Sequence, residues 1–110
     1  MAIKTVTKDT FEGEVLASSK PVLVDLWAEW CMPCKAMEPA MKELAQEFEG
    51  QVEIAKLNVD ENPALAQSLD VMSIPTLMLF KDGKPVSRLV GLQPKNRVAG
   101  AIRAALTVSV

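Results

Sequence analysis

A chain of 110 residues has enough material for one domain with one buried core. Its apolar content of 49% and charged content of 24% are those of a soluble globular protein. A net charge of −2 gives no electrostatic basis for binding nucleic acid or an anionic membrane, and no apolar run approaches the roughly 20 residues of a membrane span. We therefore expect a single domain, residues 1–110, that binds neither nucleic acid nor membrane.

The cysteine and histidine content limits the kinds of catalytic and metal-binding site that the chain can form. The first residues lack the basic segment followed by an apolar segment that is typical of a signal peptide, so we expect a cytoplasmic location. In the reducing cytosol a lone cysteine pair is more often catalytic or metal-binding than a structural disulfide. Histidine is absent, which excludes a Cys-His nucleophile and a His-ligated zinc site within the chain. Two thiolates alone cannot complete a four-ligand zinc site, so a structural metal would have to be shared between two chains.

The first quarter of the chain predicts a strand, a helix and a second strand. Alternation predicts a short strand over 2–7, and an apolar face predicts a helix over 8–18, which Gly13 weakens. The residues expected on the inner face of this helix are Phe11, Val15 and Leu16. The near-continuous apolar run 21–28 is typical of a strand that is buried on both faces of a sheet.

The only two cysteines, Cys31 and Cys34, lie at the turn that follows this strand and open a helix over about 33–48. A Cys-x-x-Cys pair on a strand-to-helix turn is the arrangement of a dithiol that cycles with a disulfide. The helix N-terminus favours a thiolate at Cys31. Pro39 predicts a kink, and Gly50 is expected to end the helix. The predicted core-facing stripe is Met37, Met41, Leu44 and Phe48.

The second half predicts three strands and two helices. The strands are expected over 52–59, 77–80 and 86–90, and Asp82-Gly83 supplies the tight turn between the last two. Asn62 and Pro63 are expected to start a short helix, as N-cap and first helical residue.

The last predicted helix opens at Pro94, and its inner face is Val98, Ala101, Ile102, Ala105 and Leu106. The resulting order, β-α-β-α-β-α-β-β-α, predicts an α/β sandwich. Its sheet is mixed, because alternation gives parallel strands and the late hairpin adds antiparallel ones.

Four blocks of the sequence, at spacings that cover essentially the whole chain, resemble the thioredoxin family. They are the residues 24–35 (VDLWAEWCMPCK), 56–60 (KLNVD), 73–77 (SIPTL) and 90–91 (VG). The resemblance implies the thioredoxin fold, a three-layer α/β/α sandwich with a central mixed sheet of about five strands and four helices. It also implies a thiol-disulfide oxidoreductase that reduces protein disulfides.

The same resemblance implies how electrons reach the protein. No bound cofactor is expected beyond the redox-active disulfide between Cys31 and Cys34, since the sequence has no nicotinamide- or flavin-binding fingerprint. Electrons must then arrive through the thiols of a thioredoxin-reductase-type donor. A monomer is the default expectation.

The resemblance assigns three catalytic roles. Cys31, nearer to solvent, is the nucleophile, and the more buried Cys34 is the resolving thiol. Asp25 accepts the proton of Cys34. The sequence supports Asp25 independently, because it interrupts an apolar strand where burial would raise the pKa of its carboxyl group. The alternative is an edge strand with Asp25 in water. Lys56 resembles the lysine near this aspartate, although a solvent-facing lysine is an open alternative.

Pro75 resembles the family's cis-proline, which lies beside the cysteines and presents the Ile74 backbone to an extended substrate. The apolar substrate-binding surface that the resemblance implies, here called the docking rim, is Trp30, Met72, Ser73, Ile74, Gly91 and Leu92. The alternative for Trp30 is burial in the core, whereas Trp27 is the tryptophan expected to be packed.

Three positions depart from the family's usual pattern. Met32 replaces the common glycine between the cysteines, Ser73 replaces a common glycine, and Leu26 a common phenylalanine. Because the intervening dipeptide affects the balance between dithiol and disulfide, Met32 and Pro33 are expected to tune the redox potential together with Lys56. Met32 also adds an adaptable apolar group that could alter partner choice.

Two rival functions remain open. A disulfide oxidase or isomerase on the same fold rests on Met32 alone. A binding or assembly module with an incidental dithiol is disfavoured by the presence of Asp25, Pro33 and Pro75 beside both cysteines.

Overall fold

The computed structural model describes residues 3–107, which form one five-stranded sheet with helices on both faces. In chain order the elements are β1 (Lys4–Thr5), a π-helical turn (Glu12–Leu16), β2 (Val22–Trp27), α1 (Met32–Ala36), α2 (Glu38–Glu47), β3 (Glu53–Asn58), α3 (Pro63–Ser68), β4 (Thr76–Lys81), β5 (Lys84–Val90) and α4 (Lys95–Thr107).

The sheet has the strand order β1-β3-β2-β4-β5, with β2 at its centre. β2 pairs in parallel with β3, which pairs in parallel with β1. On its other side β2 pairs antiparallel with β4, and the β4–β5 hairpin completes the sheet. The mixed sheet expected from the order of the elements is therefore confirmed.

Two apolar clusters lie on opposite faces of the sheet. Leu23 of β2 belongs to the cluster with α2 and α4, whereas Val22, Val24 and Leu26 belong to the cluster with the π-helical turn. Leu65 and other partly buried residues of the α3 region pack on this second cluster. Because successive strand residues point to opposite faces, Asp25 shares the face of Leu23 and points toward α2. The predicted three layers are confirmed.

The segment before β2 is less regular than predicted. β1 covers only Lys4–Thr5 within the described residues, and the predicted helix is a single π-helical turn in which the amide of Ala17 donates to Glu12 O. Phe11 and Val15 are buried as expected, but Leu16 is 36% exposed. The inward position predicted for Leu16 is wrong, because the wider turn carries it away from the face shared by the other two.

The helix after the cysteines is divided in two. The two helices meet at Met37, whose backbone is still right-handed helical, so the helix is interrupted two residues before Pro39, where the kink is expected. Proline has no N–H to donate to the carbonyl four residues before it, which prevents one continuous helix. The predicted stripe is nevertheless confirmed, since all four of its residues are buried: Met37, Met41, Leu44 and Phe48.

The second half follows the prediction closely. Asp82 and Gly83 have φ angles of 54° and 78°, as the predicted hairpin turn requires. Asn62 does lie at the N-cap of α3, but its side chain makes no capping bond. Its Oδ1 instead accepts a hydrogen bond from the amide of Lys8 at 2.8 Å, which ties the two segments together.

The inner face of α4 agrees with the prediction in part. Val98, Ile102 and Ala105 are buried, while Ala101 and Leu106 are half-buried. Across residues 3–107, no helix has both the length and the apolar character needed to cross a membrane.

Candidate active site

The two cysteines meet at the start of α1. Cys31 is the N-cap residue, with an extended backbone, and the amide of Cys34 donates to Cys31 Sγ at 3.2 Å. Because Cys34 follows Cys31 by three positions, the first turn of the helix brings their side chains together. Proline is tolerated at position 33 because the first N–H groups of a helix have no partner within the helix. Cys31 and Cys34 form a disulfide, with their Cα atoms 5.3 Å apart.

Both cysteines are buried in the disulfide form. Cys31 is 3% exposed and Cys34 is 2% exposed, and they form a small cluster with Ala28. The two cysteines are almost equally buried in this oxidised state, so the expectation that Cys31 lies nearer to solvent than Cys34 stays a prediction. Their neighbours Trp30 and Met32 are exposed, at 67% and 73%.

Asp25 is a buried carboxylic acid at the centre of the sheet. It is 2% exposed and lies between Lys56 of β3 and Leu77 of β4 in the strand register, which excludes the edge-strand alternative. Burial raises the pKa of Asp25 to about 6, Lys56 opposes this rise, and Glu38 adds to it. A carboxyl group with this pKa changes its protonation state close to neutral pH.

Asp25 opens onto a pocket of about 480 Å³, here called the Asp25 pocket. Its lining is Ile3, Asp25, Glu38, Met41, Lys42, Gln46 and Lys56. Lys56 Nζ lies 3.0 Å from Glu38 Oε2 and 3.9 Å from the centroid of the Trp27 ring. Lys56 is thus held in place between a carboxylate and an aromatic face, and is not a simple solvent-facing lysine.

Pro75 follows Ile74, which adjoins the cluster formed by the cysteines and Ala28. The Ile74–Pro75 peptide bond is cis, as the resemblance implies, and Ile74 packs against the cysteines. The Pro75 carbonyl accepts a hydrogen bond from the amide of Gly91 at 2.8 Å, and Thr76 Oγ1 donates to Ser73 O at 2.6 Å. Gly91 has a φ angle of 87°, which favours glycine.

The docking rim is largely exposed. Trp30, Met72 and Leu92 are 67%, 94% and 61% exposed, so burial of Trp30 in the core is excluded, and Trp27 is the half-buried tryptophan. The structure brings Trp30, Met72, Ser73 and Ile74 to a shared apolar pocket of about 380 Å³. Leu92 does not line that pocket.

Two residues of this region were not predicted from the sequence. Asp60 Oδ2 accepts a hydrogen bond from Trp30 Nε1 at 2.8 Å, which fixes the exposed indole ring. Glu38 holds Lys56, as described above. Each lies on a different element from its partner, so no local spacing in the sequence could have indicated either contact. Across residues 3–107, the side chains of His, Cys, Asp and Glu form no cluster of three that could hold a metal ion.

Comparison with known proteins gives consistent matches. The family model described as Thioredoxin matches residues 2–104. The chain is 50% identical over 97 residues to thioredoxin 1 of Synechococcus elongatus, which covers 88% of this chain and 91% of that protein. It is 52% identical over 99 residues to a thioredoxin of Staphylococcus aureus, which covers 90% of this chain and 93% of that protein.

Proposed function

This chain belongs to the thioredoxin family, and we propose that Cys31 is its nucleophile and Cys34 its resolving thiol. The protein is a thiol-disulfide oxidoreductase that reduces protein disulfides. The observation that carries the assignment of roles is the position of the pair: Cys31 caps the N-terminus of α1, where unpaired N–H groups and the helix dipole stabilise a thiolate.

The reaction proceeds in two exchanges. In the reduced protein, the Cys31 thiolate attacks one sulfur of a substrate disulfide, forms a mixed disulfide and releases the other sulfur as a thiolate. Cys34 then loses its proton and attacks Cys31 Sγ, which forms the Cys31–Cys34 disulfide and releases the second substrate thiolate. The substrate gains two electrons, the protein loses two, and a thioredoxin-reductase-type donor restores the dithiol.

Asp25 is the proton acceptor for Cys34 in this scheme. A buried thiol is a poor nucleophile until it is deprotonated. Asp25 is suited to this step because a base is most effective when its pKa lies near the working pH, and burial brings the pKa of this carboxyl group to about 6. Lys56 tunes the proton affinity of Asp25, while Met32 and Pro33 tune the stability of the disulfide.

The docking rim and Pro75 bind the substrate chain. The exposed Trp30 and Met72 provide an apolar surface beside the disulfide cluster, and the partly buried Ile74 offers its backbone to an extended segment. Exposed apolar groups grouped around a reactive centre fit unfolded or flexible segments of protein substrates.

The remaining features of the proposal concern the oligomeric state, the cellular location, the cofactor and the partners. We propose one domain over residues 1–110, a monomer, that works in the cytoplasm in electron transport and redox homeostasis. It needs no bound cofactor, because the dithiol itself carries the electrons. The net charge of −2 supports the absence of nucleic-acid and membrane partners.

Trapping tests the assigned roles. A Cys34→Ser variant cannot complete the second exchange, so we expect it to accumulate mixed disulfides between Cys31 and substrate proteins that a reductant releases. A Cys31→Ser variant is the matched control and should trap almost nothing. If Cys31→Ser traps substrates and Cys34→Ser traps almost nothing, the roles are reversed. If neither variant traps a substrate while both keep their binding partners, the chain is a binding module.

A further inference from the structure

The ammonium group of Lys56 is placed close to Asp25 but is bound elsewhere. Asp25 and Lys56 are directly paired in the register of β2 and β3, and both line the Asp25 pocket. Within residues 3–107, the ion pair that Lys56 makes is with Glu38, at 3.0 Å, and no ion pair joins Lys56 to Asp25. The lysine that is paired with Asp25 in the strand register thus forms its ion pair with a different carboxylate, that of Glu38.

Geometry explains what holds the ammonium away from Asp25. Glu38 begins α2 and faces the sheet, and the Trp27 ring lies under Lys56 Nζ at 3.9 Å, so the cation has a carboxylate on one side and an aromatic face on another. The side chains of Glu38 and Lys56 are 40% and 22% exposed, whereas Asp25 is 2% exposed. The Lys56–Glu38 ion pair therefore lies at the outer part of the Asp25 pocket, and the Asp25 carboxyl group lies at its inner end.

The charged groups around Asp25 are few. β3 contributes Lys56, and α2 contributes Glu38 and Lys42 to the pocket, while the residue opposite Asp25 on β4 is Leu77. Lys42 makes no ion pair with any residue of the described range 3–107, and it carries one positive charge at the pocket lining. Removing Glu38 would leave the pocket lining with two lysines and no carboxylate besides Asp25.

We propose that Glu38 is a positioning residue for proton transfer at Asp25, because it holds the Lys56 ammonium against Trp27 and prevents it from pairing with Asp25. A carboxylate that is fully paired with a lysine is stabilised in its charged form and is a weak base. By competing for the lysine, Glu38 keeps Asp25 basic enough to accept a proton near neutral pH. This inference rests on the proposed role of Asp25.

The electrostatics of the site agree with this arrangement. Burial is the largest cause of the raised pKa of Asp25, Lys56 acts to lower that pKa, and Glu38 acts to raise it. Loss of the Glu38 charge would remove one cause that raises the pKa. It would also release the Lys56 ammonium, the one cause that lowers it, to approach more closely.

A titration of the Asp25 carboxyl carbon tests the proposal directly. We would follow this carbon by ¹³C NMR against pH in the oxidised protein. In Glu38→Gln, which preserves the size of the side chain, we expect the midpoint to fall on the order of one pH unit. Glu43→Gln is the matched control, because Glu43 lies on the same helix and pairs with Lys95 at the same distance of 3.0 Å. Its midpoint should equal that of the unmodified protein.

A double variant separates positioning from a simple field effect. If Glu38 acts through Lys56, the shift caused by Glu38→Gln should fall to less than half when measured in a Lys56→Met background. A shift of the same size in both backgrounds would mean that Glu38 acts by its charge alone and would overturn the proposal. An unchanged or higher midpoint in Glu38→Gln would also overturn it.

Kinetics distinguish this inference from the role of Asp25 itself. The rate of protein disulfide reduction should show an acid-side inflection that Asp25→Asn abolishes and Glu38→Gln moves to lower pH. If Asp25→Asn leaves the inflection in place, the role of Asp25 fails. If Asp25→Asn abolishes the inflection and Glu38→Gln leaves it at the same pH, only the role of Glu38 fails.

Discussion

At the scale of single residues, burial of Asp25 has a cost in stability that depends on pH. The pKa of this carboxyl group is about 6 in the folded protein, against an ordinary value of 3.8 for an aspartate in water. Between these two pH values the unfolded chain has released a proton that the folded protein retains, so stability falls as pH rises through this window and stays low above it. Below the window both states are protonated and the cost is absent.

Replacing Asp25 by Asn removes this ionisation. We expect the unfolding free energy of Asp25→Asn, relative to the unmodified protein, to be higher at pH 7 than at pH 3 by on the order of 3 kcal/mol, since each pKa unit corresponds to about 1.36 kcal/mol. Urea denaturation of the oxidised proteins across this pH range measures it. Asp9→Asn, which removes a carboxyl group at an exposed position, is the control. A pH-independent difference for Asp25→Asn would contradict a raised pKa.

Met32 is a second residue with a testable contribution, to substrate binding. Its side chain is 73% exposed beside Cys31, so a substrate peptide can cover it. We expect Met32→Gln to raise KM for protein disulfides about fivefold, which corresponds to the loss of roughly 1 kcal/mol of apolar burial, and to leave stability within about 0.5 kcal/mol.

The comparison substrate for Met32 is a small aliphatic disulfide, which is too short to cover this side chain. Its KM should be the same for both proteins, and Met32→Leu should restore the KM for protein substrates. An equal rise in KM for both substrates would show that the rise does not come from contact between Met32 and a protein substrate.

At the scale of elements, Arg88 links the edge strand β5 to the end of α3. Its guanidinium donates to Leu69 O at 2.6 Å and to Asp70 O at 3.3 Å, which satisfies carbonyl groups at the C-terminal end of that helix. The following residues lead directly to Met72 and the cis-proline. We expect Arg88→Met to lower the unfolding free energy by about 1 kcal/mol, as measured by urea denaturation with an unchanged m-value.

Loss of the hydrogen bonds from Arg88 to the end of α3 should also affect the residues next to them. Amide hydrogen exchange at residues 69–74 should become faster in Arg88→Met. Exchange in the central strand β2 should change only as much as the global unfolding free energy changes. Lys84→Met, on the same strand, is the control and should leave exchange in this segment unchanged. Equal exchange in both variants would show that Arg88 does not hold the segment.

At the scale of the whole molecule, the sequence predicted the elements whose signal is local. β2 was recognisable because nearly every residue from 22 to 27 is apolar, and the hairpin because Asp82-Gly83 readily adopts positive φ angles. Asp25 stood out for the same reason, as one carboxylate in an apolar strand. These signals require no knowledge of which elements become neighbours.

Features that depend on contacts between distant elements could not be predicted in this way. Asn62 has the sequence signature of an N-cap, yet its side chain serves Lys8, 54 positions away. Leu16 follows the helical spacing of its neighbours, yet a π-helical turn directs it to solvent. Glu38 and Asp60 act on Lys56 and Trp30 across the fold, so only the three-dimensional arrangement reveals them.

The reduction potential of the Cys31–Cys34 pair tests most directly whether this protein works as a reductant of disulfides. We would equilibrate the protein with a glutathione reference couple and quantify the dithiol and the disulfide. We expect a potential of roughly −270 mV, the characteristic value of thioredoxin itself, because the chain belongs to that family. A potential between about −180 and −120 mV, the range of disulfide isomerase and DsbA, would contradict this expectation and would mean that the chain oxidises or isomerises disulfides on the same fold.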